Sequence, residues 1–276
     1  MTSTAMNEAS IAVLGGGNMA GAIARRLLST APYRRMRVTT GSSVPEWVAD
    51  GAAAEHRAVS ADPEANLWAV DGADVVILGV KPKGIVDLAA EIAPALQPGA
   101  LVLSVAAGTR LDAMDAVLPD TARLVRTMPN TPTAIGRGTT LVCALPGNDD
   151  ALADAEAVLA PTGVVERIDE HLIDAFTAVT GSGPAYVFYF AQALREAAIS
   201  MGADYDQASR IVPAMFSGAV AYMEEAGELP ETLRQQVTSP GGSTAAAVAV
   251  FDERDLFRTV GDALNAARRR NIELGE

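Results

Sequence analysis

A glycine-rich motif near the start of the chain is the first feature that could do chemistry. Residues 15–20, Gly-Gly-Gly-Asn-Met-Ala, read G-x-G-x-x-A and directly follow an apolar run at residues 11–14. In such a motif the first glycine allows a tight turn, the second lets the backbone approach a pyrophosphate, and the small last residue lets a helix pack on a sheet. The helix N-terminus then attracts phosphate. The motif predicts dinucleotide binding; a glycine turn without a ligand is the alternative.

The end of the second predicted strand indicates which nicotinamide cofactor is preferred. An acidic residue at this point binds the ribose 2′-hydroxyl of NAD and would repel a 2′-phosphate. Residues 39–43 are Thr-Thr-Gly-Ser-Ser, with neither a carboxylate nor an arginine. We therefore expect NADPH as the cofactor, with NADH as the alternative. The alternative, in which the two serines cap the next helix, is compatible with either cofactor.

Two other strand ends and one later loop carry groups suited to anionic ligands. Val80-Lys81-Pro82 closes the most hydrophobic predicted strand, and Lys81 is one of only two lysines. The small residues at 105–108 would let a nicotinamide ring lie close to the backbone. Residues 238–244, Thr-Ser-Pro-Gly-Gly-Ser-Thr, bring hydroxyls and backbone N–H groups to a predicted helix start, which suits a carboxylate. An interhelix loop with Ser243 or Thr244 as N-cap remains the alternative.

The composition excludes several classes of protein. The 276 residues are 49% hydrophobic and 20% charged, enough for globular domains with sizeable cores. The 34 acidic and 21 basic residues leave a net charge of −13, which repels nucleic acid and anionic lipid. The first ten residues lack a signal-peptide pattern, and no apolar stretch approaches the ~18 residues of a membrane helix. We expect a cytoplasmic protein with no nucleic-acid or membrane partner.

Few side chains suit nucleophilic or metal-dependent catalysis. The chain has two histidines and one cysteine, Cys143, which lies in an apolar run and is expected to be a buried hydrophobe. A zinc site or a histidine-based triad is hard to assemble from these residues, so no metal site is predicted. A cofactor, hydroxyl groups and backbone dipoles must therefore carry the chemistry.

The segments around these motifs have two kinds of sequence pattern. Up to residue 167, aliphatic or β-branched runs alternate with alanine-rich segments, which predicts an α/β Rossmann-like domain over residues 1–167. Strands are predicted at residues 11–14, 37–40, 75–80, 101–105, 123–127, 139–143 and 164–167. Helical segments then run to the end, which predicts an all-α domain over residues 168–276. Within it, Asp204 is expected to cap a helix, and Pro213 to kink that helix or free a carbonyl.

The all-α domain is predicted to self-associate. It is rich in alanine, glycine and methionine, and its apolar stripes are wider than one helix can hide. Burial against a second copy of the chain would cover these faces. We expect a homodimer, with assembly of dimers into a higher oligomer left open.

Five segments carry patterns more specific than any single motif. They are residues 15–20, 80–82, 126–132 (Arg-Thr-Met-Pro-Asn-Thr-Pro), 172–186, which contains Gly-Ser-Gly-Pro-Ala-Tyr, and 233–252 around Ser-Pro-Gly-Gly-Ser-Thr. Together they resemble the pyrroline-5-carboxylate reductase family over essentially the whole chain. The resemblance implies an N-terminal Rossmann-like domain, a C-terminal helical dimerisation domain, and NAD(P)H-dependent reduction of 1-pyrroline-5-carboxylate to L-proline, the last step of proline synthesis.

The resemblance also implies site residues. On the cofactor side they are Leu14, Gly15, Gly16, Gly17, Asn18 and Met19 at the pyrophosphate, Ser42 and Asn66 at the adenosine ribose or 2′-phosphate, and Val80, Lys81, Pro82, Val105, Ala106 and Ala107 at the nicotinamide. On the substrate side they are Glu170, Gln236, Ser239, Gly242, Ser243 and Thr244. Three positions depart from the family pattern: Gln236 replaces an asparagine of some relatives, and Pro213-Ala214 replaces the usual alanine-glutamine.

The implied mechanism needs no strong general acid, because a protonated imine accepts hydride from nicotinamide C4 directly. The substrate carboxylate would bind at the helix start near Thr244, and the Thr244 hydroxyl, the catalytic candidate, would orient the ring nitrogen. In this family, helices of the partner subunit contribute to the site, so dimerisation would be required for activity.

Two other functions are alternatives to this one. A β-hydroxyacid-dehydrogenase-like oxidoreductase typically needs a catalytic lysine in its second domain, and no lysine follows Lys83. A non-catalytic NADP-binding regulator would bind the cofactor without oxidising it.

Overall fold

A computed structural model describes residues 9–30, 33–49 and 53–275 of the chain. The chain divides into two compact units, one made of Met1–Ser182 with Ala267–Glu276 and the other of Gly183–Ala266. The first helix of the predicted all-α domain belongs to the first unit, because Ile173 at its start is fully buried in that unit's core. The predicted domain boundary between residues 167 and 168 stays a prediction.

The first unit contains one eight-stranded sheet. Its strands are β1 (Ser10–Leu14), β2 (Arg35–Thr40), β3 (Glu55–Ala58), β4 (Val75–Leu78), β5 (Leu101–Ser104), β6 (Arg123–Met128), β7 (Gly138–Cys143) and β8 (Gly163–Arg167). Their order across the sheet is β3-β2-β1-β4-β5-β6-β7-β8, and every neighbouring pair is parallel except β6 with β7. From β1 the chain adds β2 and β3 on one side and then β4 on the other side, so the strand order reverses between β1 and β4. A ligand crevice is expected at the carboxyl ends of these two strands.

Helices cover both faces of this sheet. They are α1 (Asn18–Thr30), α2 (Glu46–Ala49), α3 (Ala65–Val70), α4 (Ile85–Ile92), α5 (Leu111–Asp115), α6 (Asp149–Leu159) and α7 (Ile173–Thr180). Alternate residues of β1 enter different cores, Val13 with α1 and α6, and Leu14 with α4. Each fully buried aliphatic side chain contributes roughly 1.5–3 kcal/mol, so both faces stabilise the position of the β1 carboxyl end.

All seven predicted strands are present, and the predicted Rossmann-like α/β class is confirmed. The structure adds β3, which the sequence analysis missed. This strand, Glu-His-Arg-Ala, pairs only with β2 at the edge of the sheet and alternates between exposed and half-buried residues. An edge strand of this kind needs no apolar run, so its sequence carries no hydrophobic signal.

The second unit is entirely helical. Its helices are α8 (Gly183–Ser200), α9 (Tyr205–Ala226), α10 (Pro230–Gln236), α11 (Ser243–Glu253) and the first part of α12 (Leu256–Gly275). The predicted N-cap is confirmed, since the Asp204 carboxylate accepts from the N–H groups of Asp206 and Gln207 at 3.0 and 3.1 Å. Pro213 does not end α9, which continues through it, although proline deprives the carbonyl four residues earlier of its helical donor.

The helices of the second unit bury little of their surface within the chain. No residue of α8, α10 or α11 is buried, and Phe190 makes only edge and tilted ring contacts with Phe216 and Phe251. Across residues 9–30, 33–49 and 53–275, no helix combines the length and apolar character needed to cross a membrane.

Candidate functional site

The turn between β1 and α1 forms one wall of a groove in the first unit. Gly15 has a φ of +84°, and the N–H groups of Gly15 and Gly16 donate to the Thr39 carbonyl at 3.0 and 2.8 Å. A Cβ atom on Gly15 would lie 2.7 Å from Val80 Cγ1. Both the left-handed backbone and the close approach to Val80, two residues after β4, therefore require glycine at this position.

The groove has a volume of about 560 Å³. Its lining residues are Gly15, Gly16, Gly17, Asn18, Gly21, Arg25, Thr40, Gly41, Ser43, Pro45, Glu46, Trp47, Gly79, Val80 and Lys81. Six of the predicted cofactor residues thus meet here, drawn from segments far apart in sequence. Because α1 has no acidic residue in its first turn, nothing on that turn opposes the positive end of its dipole. The groove can hold a phosphate at this helix start.

Several groove residues were missed by the sequence analysis. Arg25 and Trp47 bring a guanidinium and an indole to the groove, and Glu46 brings a carboxylate. Arg25 follows Asn18 by seven residues, two helical turns, so the two lie on one face of α1. The seven-residue spacing from Asn18 could have identified Arg25 from the sequence. For Trp47 the only indication was its residue type, a large aromatic in a short polar segment.

The turn after β2 is held by hydrogen bonds from the edge of the sheet. The Thr40 hydroxyl donates to the Ser43 carbonyl at 2.7 Å and lies 2.8 Å from His56 Nε2 on β3. Because the single hydroxyl proton is already donated to Ser43, His56 Nε2 must be the donor to Thr40. Burial lowers the pKa of His56 from its ordinary value. At neutral pH a neutral His56 therefore stabilises the turn that was predicted to select the cofactor.

Eight of the fourteen predicted cofactor residues do not line this groove, among them Leu14, Ser42 and Asn66. The Leu14 side chain is fully buried in the core, and Ser42 is exposed beside the lining residues Gly41 and Ser43. Asn66 is 7% exposed, and its side chain accepts from Thr39 Oγ1 at 2.8 Å and donates to Glu91 at 3.1 Å. The structure thus gives Asn66 protein partners, and its role at the ribose stays a prediction.

Only some of the residues predicted at the nicotinamide line the groove. Val80 and Lys81 line the groove, whereas Pro82 starts a 3-10 turn (Pro82–Gly84). The segment after β5 lies beside β4, since the Val105 N–H donates to the Leu78 carbonyl at 3.1 Å. Ala106 is buried, and Met19 and Ala107 are half-buried outside the groove lining.

Glu170 belongs to the first unit and is bound by protein groups. Its Oε1 atom accepts from the Leu111 N–H at 2.7 Å and from Arg126 Nη1 at 3.1 Å. The Arg126 side chain is only 4% exposed, and its Nη2 also lies 3.4 Å from Asp174 Oδ1. A buried guanidinium needs such carboxylate partners because an unpaired buried charge is strongly destabilising.

The predicted carboxylate site lies at the start of α11 in the second unit. Gly242 is the N-cap, and no side chain caps this helix. The alternative in which Ser243 or Thr244 is the N-cap is therefore wrong, and both residues are exposed in the first turn. Gly241, with a φ of +71°, forms the turn before it, and Ser239 precedes that turn. Exposed hydroxyls and first-turn N–H groups together suit an anion.

Gln236 ends α10 and is exposed. The neighbouring Thr238 differs from Thr244 in one respect, since its hydroxyl donates to the Arg234 carbonyl at 2.6 Å. Thr238 is thus used within the helix end, which makes it a natural control for Thr244.

Comparison with known proteins agrees with this arrangement. Residues 170–274 match the family model for pyrroline-5-carboxylate reductase dimerisation, and residues 10–108 match that for NADP oxidoreductase, coenzyme F420-dependent. A pyrroline-5-carboxylate reductase of Pseudomonas aeruginosa is 35% identical over 280 residues, covering 98% of each chain. The chain belongs to the pyrroline-5-carboxylate reductase family.

Solved structures of pyrroline-5-carboxylate reductases have the same fold. That of Coxiella burnetii is 31% identical and superimposes with a TM-score of 0.87, covering 97% of this chain and 99% of its own. A Plasmodium falciparum pyrroline carboxylate reductase, solved with NADP bound, has a TM-score of 0.84 at 22% identity, covering 98% and 100% of the two chains. At that identity the likeness concerns the fold alone.

Cys143 takes no part in either candidate region. It is 2% exposed, and burial raises the pKa of its thiol to about 12. The predicted burial of Cys143 is thereby confirmed, and a raised pKa favours the unreactive thiol over the thiolate. Among the described residues, no three His, Cys, Asp or Glu side chains are grouped so as to bind a metal ion.

Proposed function

We propose that this protein reduces 1-pyrroline-5-carboxylate to L-proline with NADPH, the final step of proline synthesis. The observation that carries the proposal is similarity to pyrroline-5-carboxylate reductases over 98% of the chain. The match of residues 10–108 to an NADP oxidoreductase model supports the cofactor. Lack of any lysine after Lys83 argues against a β-hydroxyacid dehydrogenase.

The groove of the first unit fits NADPH. The glycine turn leaves space that a Cβ on Gly15 would fill, and the α1 N-terminus and Lys81 offer positive potential for the pyrophosphate. The turn at residues 41–43 offers hydroxyls and backbone N–H groups to a 2′-phosphate, with Arg25 nearby in the lining and Glu46 opposing it. When bound, the cofactor supplies a hydride from nicotinamide C4.

Residues at the start of α11 are proposed to bind the substrate. First-turn N–H groups, with Ser239, Gly242 and Ser243, hold the carboxylate, and Gln236 lies one helix earlier. The Thr244 hydroxyl oxygen accepts a hydrogen bond from the protonated imine nitrogen and so orients the ring. Fixing the imine carbon in this way supplies the orientation that hydride transfer needs, and no proton has to be delivered by an acid.

The match to a dimerisation family and the exposed apolar helices of the second unit support a homodimer. Assembly beyond the dimer is left open. We also propose a cytoplasmic location, where NADPH and the substrate are available.

The direct test is NADPH consumption with pyrroline-5-carboxylate, followed by amino-acid analysis for proline, with NADH and the six-membered piperideine-carboxylate as comparisons. We expect proline to form and kcat/KM to be higher with NADPH than with NADH. Binding of NADPH without its consumption would instead indicate a regulator that keeps the fold. A clear preference for NADH would contradict the reading of residues 39–43.

A further inference from the structure

The segment between β5 and α5, residues 105–110, is fixed at both of its ends. At its start, the Val105 N–H donates to the Leu78 carbonyl at 3.1 Å, and Thr127 Oγ1 donates to the Ser104 carbonyl at 2.9 Å. At its end, the Leu111 N–H donates to Glu170 Oε1 at 2.7 Å. Gly108 between them has a φ of +78°. The first attachment comes from neighbouring strands, whereas the second comes from a residue 59 positions later in the chain.

The position of Glu170 is in turn fixed by Arg126. Arg126 lies on β6 opposite Ser104 of β5, and its buried guanidinium donates to the same Glu170 oxygen that receives the Leu111 N–H. Charge-assisted hydrogen bonds of this type are stronger and more directional than neutral ones. One carboxylate oxygen therefore ties the end of the segment to the strand that flanks its beginning.

We propose that Glu170, oriented by Arg126, is a positioning residue for hydride transfer. It fixes residues 105–110, and this inference rests on the proposed function and on the predicted place of residues 105–107 at the nicotinamide. A displacement of about 1 Å between reacting groups can cost roughly 100-fold in rate, so the attachment at Leu111 matters for kcat more than for binding. The adenosine and pyrophosphate contacts, at the α1 turn and after β2, do not depend on it.

Direct contact with substrate is the competing role for Glu170. The Oε1 atom of Glu170 already accepts two hydrogen bonds from protein groups. These two bonds favour positioning over contact.

The test compares Glu170→Ala and Glu170→Gln with Asp174→Asn. Asp174 is the matched control, because it also pairs with Arg126, at 3.4 Å, whereas the Leu111 N–H donates to Glu170. Glutamine keeps an oxygen acceptor for the Leu111 N–H and loses only the charge. For each variant we would measure thermal unfolding, NADPH affinity by fluorescence titration, steady-state constants, and the isotope effect on kcat with NADPH deuterated at the transferred position.

We expect Glu170→Ala to lower kcat about 10- to 100-fold, with the substrate KM and the NADPH Kd changed less than about threefold. The isotope effect should rise, because hydride transfer becomes slower relative to product release. Glu170→Gln should recover most of the rate, and Asp174→Asn should keep kcat even if its unfolding temperature falls.

Three results would overturn the assignment. A changed substrate KM at unchanged kcat would place Glu170 against the substrate. A lowered unfolding temperature with normal kcat and isotope effect in Glu170→Ala would leave only a structural role, and equal losses of kcat in Asp174→Asn and Glu170→Ala would do the same. If the unsubstituted protein does not reduce pyrroline-5-carboxylate, the proposed function fails first, and this failure is seen before any variant is compared.

Discussion

The two units of this protein bury their helices very differently. In the first unit, α1 buries six of its thirteen residues against the sheet, whereas in the second unit α8 buries none of its eighteen. Tyr189 on α8 is 75% exposed and Phe257 on α12 is 74% exposed. The first unit therefore has a core of its own, whereas the second unit leaves exposed apolar surface that the proposed dimer would cover. The groove lies on the well-buried unit, and the start of α11 lies on the unit that the proposed assembly would stabilise.

The largest expected effect concerns the reactivity of Cys143, which tests whether the core of the first unit excludes reagents from solution. A rise in the Cys143 pKa from 9.0 to about 12 lowers the thiolate fraction about 1,000-fold at about pH 8, since both values lie above that pH. Native protein should therefore react with iodoacetamide at least that much more slowly than protein unfolded in guanidinium. Mass spectrometry of the labelled chain measures both rates. Equal rates would show that the first unit does not protect its interior.

The next prediction concerns the surface of the second unit. Tyr189→Asp places a charge on the exposed face of α8 and should raise the dimer dissociation constant about 30- to 1,000-fold, the range for loss of an aromatic hot spot. Sedimentation measures the constant, and activity should fall as monomer accumulates. Val164→Asp is the control, because Val164 is an exposed apolar residue, 56% accessible, on the edge strand β8 of the first unit. If only the control dissociates the dimer, the interface has been assigned to the wrong unit.

Within the second unit, the two threonines flanking the Gly-Gly turn should differ. Thr244→Ala removes the proposed hydrogen bond to the imine nitrogen and should lower kcat/KM about 10- to 1,000-fold. Thr238→Ala should change it little, because that hydroxyl is already bonded to the Arg234 carbonyl. Steady-state kinetics of both variants decide the matter, and unchanged activity in Thr244→Ala removes Thr244 from its proposed role.

A smaller effect is expected at the groove of the first unit. Lys81→Met should raise the KM for NADPH about two- to fivefold, because Lys81 is exposed and its charge is screened by water. Lys83→Met is the matched control, since Lys83, the other lysine of the chain, is exposed and does not line the groove. Titration of NADPH with each variant gives the comparison. Equal effects of the two substitutions would mean that only the net charge matters.

The smallest effect should come from salt. The chain carries a net charge of −13, and both NADPH and the substrate are anions, so the overall field opposes binding. Raising the ionic strength moderately screens this field, and we expect KM for NADPH to fall or to change less than about twofold. A steep rise of KM with salt would show that local cations such as Lys81 dominate over the rest of the surface.

Much of the first unit was predictable because its signals are local. Parallel strands covered on both faces have continuous apolar sequences, as at residues 75–78, and the glycine motif marks a turn wherever it follows such a strand. The strand prediction failed at β3, because this edge strand has no apolar pattern. The side-chain partners of Asn66, Thr39 and Glu91, come from other elements, so the sequence did not indicate them.

By itself, the sequence determined the fold class, the family and the type of chemistry. The glycine motif and the hydroxyl-rich start of α11 are properties of neighbouring residues, and the small number of histidines and cysteines is a property of composition, so all three can be read directly from the sequence. Only the tertiary structure decided that Arg25 and Trp47 line the groove beside the glycine turn and that Glu170 joins Leu111 to Arg126. Such juxtapositions depend on strand order and helix packing, which bring residues 59 positions apart to within a hydrogen bond.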